Sequence, residues 1–540
     1  MKKILKKTLV SFMTVVVLLS VIGCKKDVPK TDDVVQLTLF IDVTGYSPQY
    51  KAWDGARIPE EVQKKLGVRL TTNDATVGGS EELNLMVAAG DMPDLVCVFY
   101  NDGPFSVLSE SNLVVDMMPL IKEHAPEFYD YMGEGYWNFY KSNSGVNNYF
   151  VNWAFYPNAA DKYAALGTWN RVPFSRVDIW NALGEPDITT PEKFLQHLRE
   201  VRERYPDVKP FLASPVTTLT LGHNNHVGLN FLQTMFGIEA FYEKPDGSIM
   251  AAYNHPQYIE FITFMNDMAR EGFITRDDLA ATNEQFTSAH ERGDVYMYID
   301  AVDFLRYPPT GNPNVSYQAA PVFETTAGCP QAAIAGWTTF ISKKSKNPEA
   351  AIKLIAYLAM QEGDRLNQWG QEGVDWEWNA DGSPVYTDWY REQTAQSNDE
   401  YLRKRGGFHF SMNWGDHEWV SLNVPGELPH MRRSRDLYQD YFFARLNFLS
   451  LDPAGNIPEA IIFQQVKDYW LQAIPQVVLA SSREEALTRF DNLKTTLSSM
   501  GINDVEKYWT TKSNRIVNAF GRDNLVLKGA DNAIYHKFFD

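Results

Sequence analysis

Cysteine is scarce in this chain of 540 residues, with Cys24, Cys97 and Cys329 as its only examples. Exported domains that rely on disulfides are much richer in cysteine, so we expect no disulfide framework here. Cys97 falls within an apolar run and is predicted to be a small buried side chain. A Cys97–Cys329 bridge is the alternative, although nothing in the sequence supports it.

Recognisable catalytic motifs are also missing. The sequence has no Gly-x-Ser-x-Gly nucleophile elbow, no phosphate-binding P-loop and no Gly-x-Gly-x-x-Gly after a predicted strand. His223 and His226 are spaced for a metal, but no carboxylate accompanies them, which favours a polar loop. We therefore predict no enzyme activity, no cofactor and no metal. Acidic residues are abundant, so a carboxylate pair for glycoside hydrolysis stays an alternative.

Basic residues are outnumbered by acidic ones. The chain has 50 lysines and arginines against 68 aspartates and glutamates, a net charge of −18. Nucleic acids and anionic membrane surfaces attract basic proteins, so neither is an expected partner. Aromatic residues are plentiful at 13%, which suits a large core and also a site that stacks sugar rings.

Residues 1–23 have the pattern of an export signal. Lysines open the segment, and the uncharged run Thr8–Gly23 that follows is shorter than a comfortable membrane span. Val21-Ile22-Gly23-Cys24 resembles a bacterial lipobox, which implies a diacylglyceryl group on Cys24 and anchoring at the extracytoplasmic face of the cell membrane. Residues 24–35 are interpreted as a tether. A plain transmembrane anchor is the alternative.

Helical and strand patterns alternate along the first hundred residues. Val34–Asp42 is a predicted strand, Arg57–Leu66 a helix, and Leu95–Phe99 an apolar strand that follows a helix ending at Gly90. Strands and helices that alternate at this pace are typical of a parallel sheet. Ligands bind beyond the carboxyl ends of such strands. The polar and aromatic residues at that position are Thr44, Tyr46, Tyr100, Asn101 and Asp102.

Three segments carry a resemblance to a known family. They are Ala88–Leu95, which contains Gly-Asp-x-Pro-Asp, then Gly293–Asp300 and Gly336–Ala351, and they occur in the right order. They resemble the family 1 extracellular solute-binding proteins of ABC importers, a group that includes maltose-binding protein. The greater length, and Asn148–Trp153 in place of a glycine-tyrosine stretch, resemble the longer LipO-like lipoprotein branch. The resemblance implies an α/β, two-lobed periplasmic-binding-protein-like fold with a ligand cleft between the lobes.

The same resemblance implies a division of the chain and a monomeric protein. Three hinge crossings are expected, near Trp153, Asp300 and Trp337. Lobe 1 is expected to comprise residues 36–152 and 301–337, and lobe 2 residues 153–300 and 338–540.

A sugar site needs flat aromatic faces against C–H surfaces, with planar amide or carboxylate groups that bridge hydroxyls. The segment Trp369–Trp378 resembles the family segment that faces the cleft from the second lobe. The predicted ligand-binding residues are Thr44, Tyr46, Tyr100, Asn101, Asp102, Trp153, Asn225, Asp300, Asp303, Trp337, Glu372, Trp376 and Trp378. Any one tryptophan is also explained by a core, and any one polar residue by a turn.

The prediction that follows is a lipid-anchored extracellular solute-binding protein. It would capture an oligosaccharide by hinge closure and deliver it to the permease subunits of an ABC transporter. Two alternatives stay open. A lipid-anchored glycan hydrolase or lyase would release products, and a peptide-binding lipoprotein would respond to peptides instead of sugars.

Overall fold

The computed structural model describes most of the chain after the predicted signal and tether. The described residues are 34–42, 53–75, 81–99, 103–109, 111–134, 137, 141, 146–151, 171–213, 221–222, 229–301, 312, 314–326, 329–330, 337–380, 382, 384–395, 399–408, 437, 442–448, 451–453, 457–522 and 525–528. Within these ranges no helix is both long enough and apolar enough to cross a membrane. Cys24 lies outside them, so its lipidation stays a prediction.

The strands alternate with helices along most of the chain. In chain order they are β1 (Val35–Ile41), β2 (Val68–Asp74), β3 (Leu95–Phe99), β4 (Phe150–Val151), β5 (Arg171–Arg176), β6 (Lys209–Ala213), β7 (Phe241–Glu243), β8 (Ile249–Ala251), β9 (Val295–Ala301), β10 (Tyr317–Ala319), β11 (Cys329–Pro330), β12 (Trp337–Ile341), β13 (Trp376–Trp378), β14 (Pro384–Tyr386), β15 (Phe442–Arg445) and β16 (Val526–Lys528).

The helices become longer towards the C-terminus. They are α1 (Arg57–Leu66), α2 (Glu81–Ala89), α3 (Gly103–Ser109), α4 (Met117–His124), α5 (Pro126–Met132), α6 (Val177–Ala182), α7 (Pro191–Arg204), α8 (Leu229–Met235), α9 (Tyr258–Arg270), α10 (Arg276–Leu279), α11 (Asn283–Arg292), α12 (Pro348–Ala359), α13 (Gln361–Gln368), α14 (Asp388–Ala395), α15 (Asp399–Arg405), α16 (Pro458–Val478), α17 (Arg483–Ser499) and α18 (Ile502–Phe520).

The first sheet has the strand order β2-β1-β3-β12-β4. β1 runs parallel to both β2 and β3, which confirms the predicted parallel unit. Residues 95–98 of β3 are fully buried, as the apolar run predicts for a strand covered on both faces. Cys97 is buried and forms no disulfide, so the interpretation as a small core residue is confirmed. Side chains of α1, α4 and α12 complete this first core.

The second sheet has the strand order β10-β5-β9-β6. β6 and β9 are parallel, while β5 is antiparallel to β9 and to β10. The second core combines this sheet with α7, α9 and the long C-terminal helices, from which Trp470, Phe490 and Trp509 enter it fully buried. Two separate cores, each with its own sheet, are what the predicted two-lobed α/β fold requires.

Parts of the predicted division differ from the structure. β9 runs through Asp300, and β10 returns to the same sheet, where the Tyr317 hydroxyl donates a hydrogen bond of 2.6 Å to the Val295 carbonyl. Residues 315–323 therefore belong to the second core and not to lobe 1. Both described flanks of the segment after Asp300, the strands β9 and β10, lie in the second sheet, whereas Trp337 at the start of β12 lies in the first.

A second correction concerns the start of lobe 2. β12 pairs with β3 and β4, and α12 is buried in the first core, so residues 338–359 lie in lobe 1. β12 has a burial pattern without a polar face because it is a central strand of this sheet. The expected crossing near Trp337 led from lobe 1 into lobe 2, whereas Trp337 and the helix that follows it lie in the first core. The one near Trp153 falls between β4 and β5, outside the described residues.

A small third sheet lies apart from the two main sheets. Its order is β11-β15-β16, drawn from three distant parts of the sequence. Helix α18, which precedes β16, also serves both cores. Val505 and Trp509 in its first half lie in the second core, whereas Ile516 lies in the first.

Candidate functional site

Four strands of the first sheet have an end on the same edge. Ile41 near the end of β1 pairs with Cys97 of β3, and both strands leave the sheet there. β12 runs the other way, so its first residue, Trp337, lies opposite Phe99 at the end of β3. β4 ends at Val151 beside the start of β12. This carboxyl edge is where an open α/β sheet binds its ligand.

Most of the predicted ligand-binding residues of this lobe follow those ends directly in the sequence. Thr44 and Tyr46 follow β1, the cluster 100–102 follows β3, and Trp153 follows β4. These residues lie outside the described ranges, so the positions of their side chains stay predictions. The structure does bring together the strand ends to which they are attached.

The second sheet has a corresponding edge. Arg171 at the start of β5 pairs with Ala301 at the end of β9, and Ala213 at the end of β6 lies beside Ile299. Asp300 occupies this edge, although only its backbone is described. Asp303 and Asn225 lie outside the described residues.

The predicted tryptophan platforms differ in exposure. Trp337 and Trp376 are only 7% and 3% exposed, and the Trp376 indole donates a hydrogen bond of 3.0 Å to the Gly370 carbonyl. Little of either ring is open to a ligand. Trp378 is 42% exposed, and Glu372, which forms an isolated bridge with Trp376, is also exposed.

The segment that carries these residues is attached to lobe 1, which corrects the expectation that it faces the cleft from lobe 2. Asp375 is fully buried and accepts hydrogen bonds of 2.8 Å from the Arg57 guanidinium and 2.8 Å from the Tyr401 hydroxyl. The backbone N–H of Gln371 donates a third, of 2.7 Å. Arg57 is the first residue of α1, so these bonds hold residues 369–401 against the first lobe.

Trp389 on α14 is an exposed aromatic residue that the sequence reasoning missed. It is 44% exposed, and the guanidinium carbon of Arg57 lies 5.6 Å from its ring centre. The ring of Tyr401 meets it edge-on at 5.2 Å. No local spacing connects Trp389 to Arg57 because they are far apart in the sequence. The only sequence signal was its place in the second position of a helix that begins at Asp388.

Charged residues bind the third sheet to the second lobe. Arg445 at the end of β15 forms ion pairs with Glu239 and Glu243, and Arg522 donates a hydrogen bond of 2.7 Å to Glu243. Burial raises the pKa of Glu239 despite the opposing effect of Arg445. Burial also acts upward on Glu243, but its hydrogen bonds and charged neighbours leave the pKa of Glu243 below its usual value. Asn447 adds a hydrogen bond of 3.1 Å to Glu243.

Histidine, cysteine and carboxylate side chains in the described residues form no candidate metal centre, since no group of three or more of them could hold a metal ion. His197 and His290 are buried in the second lobe, each beside a tyrosine, and burial lowers the pKa of both. Their surroundings are those of core histidines.

A family model described as bacterial extracellular solute-binding protein matches residues 54–364 of the chain. This range includes all of the first two sheets except β1. No match was found among curated protein sequences.

Solved structures match almost the whole chain. The alginate-binding protein AlgQ2, solved without calcium ion, is 16% identical with a TM-score of 0.64, covering 91% of this chain and 100% of that one. The S. pneumoniae substrate-binding protein FusA in complex with kestose is 16% identical with a TM-score of 0.59 (90% and 100% coverage). NgtS from Streptococcus pneumoniae, an N-glycan transport protein in complex with Man1GlcNAc, is 15% identical with a TM-score of 0.55 (89% and 99%). At these identities the likeness shows a shared fold.

Proposed function

The chain belongs to the bacterial extracellular solute-binding proteins, and from that premise we propose that it captures an oligosaccharide between its two lobes and delivers it to the permease subunits of an ABC transporter. The observation that carries this proposal is the pair of sheets, each with a carboxyl edge from which predicted ligand-binding residues continue. A ligand that contacts both edges bridges two cores that are otherwise folded separately.

Hinge closure is the proposed mechanism. A sugar that contacts both lobes binds the closed state more tightly than the open one, and this differential affinity alone shifts the protein towards closure. The permease would then distinguish loaded from empty protein by the closed arrangement of the lobes. No bond of the sugar needs to be broken, which agrees with the prediction that the protein is not an enzyme.

An oligosaccharide is proposed as the ligand because the chain is rich in aromatic residues and because similar structures are named for such ligands. AlgQ2 is described as alginate-binding, FusA was solved with kestose and NgtS with Man1GlcNAc. We propose Thr44, Tyr46, Asn101, Asp102 and Trp153, which follow strands of lobe 1, as ligand-binding residues, together with Asn225 and Asp303, which follow strands of lobe 2.

The test is a ligand screen on the purified protein with alginate oligosaccharides, kestose, Man1GlcNAc and mixed peptides. A binding sugar should raise the melting temperature by mass action and reduce the radius of gyration in X-ray scattering, and mass spectrometry should find that sugar intact. Release of shorter products would favour the hydrolase or lyase. A response to peptides alone, or no response to any sugar, would contradict the proposal.

The lipid anchor has its own test in a bacterial host that expresses the full chain. We propose that Cys24 is acylated, so wild-type protein should fractionate with the membrane and Cys24→Ser should not, because two acyl chains provide stable anchoring. Mass spectrometry of the mature N-terminus checks the modification. Cys24→Ser protein that remains in the membrane would instead indicate a transmembrane anchor. Cys97→Ser, which alters a buried thiol, is the matched control.

A further inference from the structure

Trp389 presents an indole ring whose position is fixed by its neighbours. One side of the ring carries the Arg57 guanidinium at 5.6 Å, and Tyr401 packs against its edge. The residue nevertheless keeps 44% of its surface exposed. Most exposed aromatic side chains lose rotamer freedom when they bind, and a ring already held in place avoids much of that entropic cost.

Asp375 explains how the ring is held. This fully buried carboxylate bonds both neighbours of Trp389, at 2.8 Å to Arg57 and 2.8 Å to Tyr401. Burial of a charge is unfavourable unless partners compensate for its lost hydration, so such a carboxylate fixes the geometry of the groups around it. The positive charge of Arg57 is also balanced by this contact.

The position of Trp389 in the fold relates it to the proposed cleft. Helix α1 connects the parallel strands β1 and β2, and its C-cap residue Gly67 accepts a hydrogen bond of 2.8 Å from Val35 at the start of β1. Its first residue, Arg57, therefore lies towards the opposite end, where β1 meets the ligand edge. The ring of Trp389, 5.6 Å from the guanidinium carbon of Arg57, therefore lies towards the same end of the sheet, at the rim of the proposed cleft.

The chemistry of this rim favours a neutral sugar. The ring of Trp389 offers an apolar face to C–H groups, whereas the carboxylates around it are exposed: Asp388 is the preceding residue, and Glu372 and Glu377 lie on the adjoining segment. Carboxylates accept hydrogen bonds from hydroxyls but repel an anionic uronate. Of the arginines on these segments, Arg57 is paired with Asp375, Arg391 lies 3.4 Å from Asp388, and Arg365 lies over the Trp378 ring.

We propose that Trp389 is a platform for a neutral sugar unit at the outer end of the oligosaccharide. This inference depends on the proposed function, because it adds a subsite on the rim of lobe 1 to the cleft between the lobes. The contribution of Trp389 to affinity then depends on the length of the oligosaccharide. A short ligand confined to the cleft does not reach the ring, whereas a longer one stacks its last unit on it.

Calorimetric titration of short and long homologues tests the platform. The probes are kestose with fructo-nystose, Man1GlcNAc with Man5GlcNAc, and alginate oligosaccharides as the anionic series. We expect Trp389→Ala to weaken binding of the longer neutral sugar by roughly tenfold or more, since an aromatic face buried on binding is lost. The shorter homologue should bind as to wild type, and Trp389→Phe should retain most of the gain with length. Ile461→Ala, at a position 56% exposed on α16, is the control.

Oxidative footprinting of the wild-type protein gives a second measurement that needs no variant. The longer neutral sugar should protect the peptide containing Trp389 from oxidation, and the shorter one should not. Unchanged affinity of Trp389→Ala for every neutral sugar that wild type binds, with no protection, would overturn the platform and leave the proposed function intact. If wild type binds none of the sugars, the proposed function fails, and the platform fails with it.

Discussion

His197 illustrates how a single side chain can link the stability of this protein to pH. Its ring is buried beside Trp180 and lies 2.5 Å from the Tyr296 hydroxyl, and burial lowers the pKa of His197 to about 4. Burial likewise lowers the pKa of His290 to about 4. Both rings are therefore neutral when folded at pH values where an unfolded histidine, with a pKa near 6.5, takes up a proton.

Stability should consequently fall as the pH drops from about 6.5 towards 4. Each histidine has a lower pKa in the folded protein than in the unfolded chain, so its stabilising contribution is fully present above pH 6.5. As the pH drops the contribution is lost, and the free energy of unfolding falls by up to about 3 kcal/mol per histidine near pH 4. Urea unfolding of His197→Gln and of wild type at each pH isolates the contribution of His197 to the free energy of unfolding, since the contributions of the other groups cancel in the difference. Glutamine at position 197 should flatten the profile. Parallel profiles for His197→Gln and wild type would contradict the assignment.

At the level of single residues, the sequence indicated types of side chain better than roles. Cys97 was predicted to be a core residue because an apolar run surrounds it, and it is. The tryptophans could not be sorted in this way: Trp376 is buried and Trp389 exposed, although both lie in polar surroundings in the sequence. Their exposure depends on contacts made in the folded chain, where Trp376 packs against Trp369 and Trp378, and Trp389 lies beside Arg57 and Tyr401.

The element that joins α13 to β13 depends on two glycines with different neighbours. Gly370 has a φ of +96°, and a Cβ atom there would lie 2.3 Å from the Asp375 carboxylate. Gly373 has a similar backbone angle, +76°, but open space around it. The left-handed backbone conformation favours glycine at both positions, while only Gly370 is also required by close packing.

Gly370→Ala should therefore be far more damaging than Gly373→Ala. Gly373→Ala should lower the free energy of unfolding only by the cost of a left-handed backbone at alanine, roughly 1–2 kcal/mol. Gly370→Ala must also displace the buried carboxylate from Arg57 and Tyr401, which we expect to bring the total loss in the free energy of unfolding to about 3–5 kcal/mol. Urea unfolding measures both, and near-ultraviolet circular dichroism reports the tryptophan cluster. Equal losses in the free energy of unfolding of the two variants would show that the Asp375 carboxylate can be displaced without loss of stability, and would contradict this prediction.

Sequence patterns predicted whole elements well where a local signal marks their ends. α1 begins at Arg57 and ends before Gly67 as expected, and β3 occupies the predicted residues 95–99. The placement of β10 was wrong because its pairing with β5 is a long-range contact that no local pattern records. For the same reason, the attachment of residues 369–401 to α1 could not be foreseen.

At the scale of the whole molecule, one cluster of charges attaches the third sheet to the second lobe. Arg445 on β15 pairs with Glu239 and Glu243 of the second lobe, and its guanidinium carbon lies 4.1 Å above the Phe448 ring. The side chains of both glutamates are less than a fifth exposed. This network attaches β15, and with it the third sheet, to lobe 2.

Arg445→Met should leave the largely buried carboxylate of Glu239 without its cation and remove one of the two cations of Glu243. We expect a loss of about 3 kcal/mol in the free energy of unfolding at neutral pH. Without Arg445 the already raised pKa of Glu239 should rise further, so the loss should shrink as the pH is lowered and that carboxyl becomes neutral. Arg522→Met, whose side chain is 53% exposed, should cost no more than about 1 kcal/mol. Urea unfolding at two pH values checks both, and a pH-independent loss would contradict the explanation.

The family resemblance and the alternation of elements were sufficient to predict two lobes. They were insufficient to divide the chain between them, because Trp337–Ala359 returns to the first core after the second has begun. The predicted cleft residues follow the observed strand ends, but their own side chains lie outside the described residues.

Helix α18 and the helices before it have a consequence for synthesis. The second sheet is complete by Ala319, yet Trp470, Phe490 and Trp509, which cover its core, are made last, and Ile516 also completes the first core. A chain that emerges from the ribosome N-terminus first must leave both cores incomplete until helix α18 has been made. Premature termination therefore yields a target for proteases, and not a smaller receptor that still works.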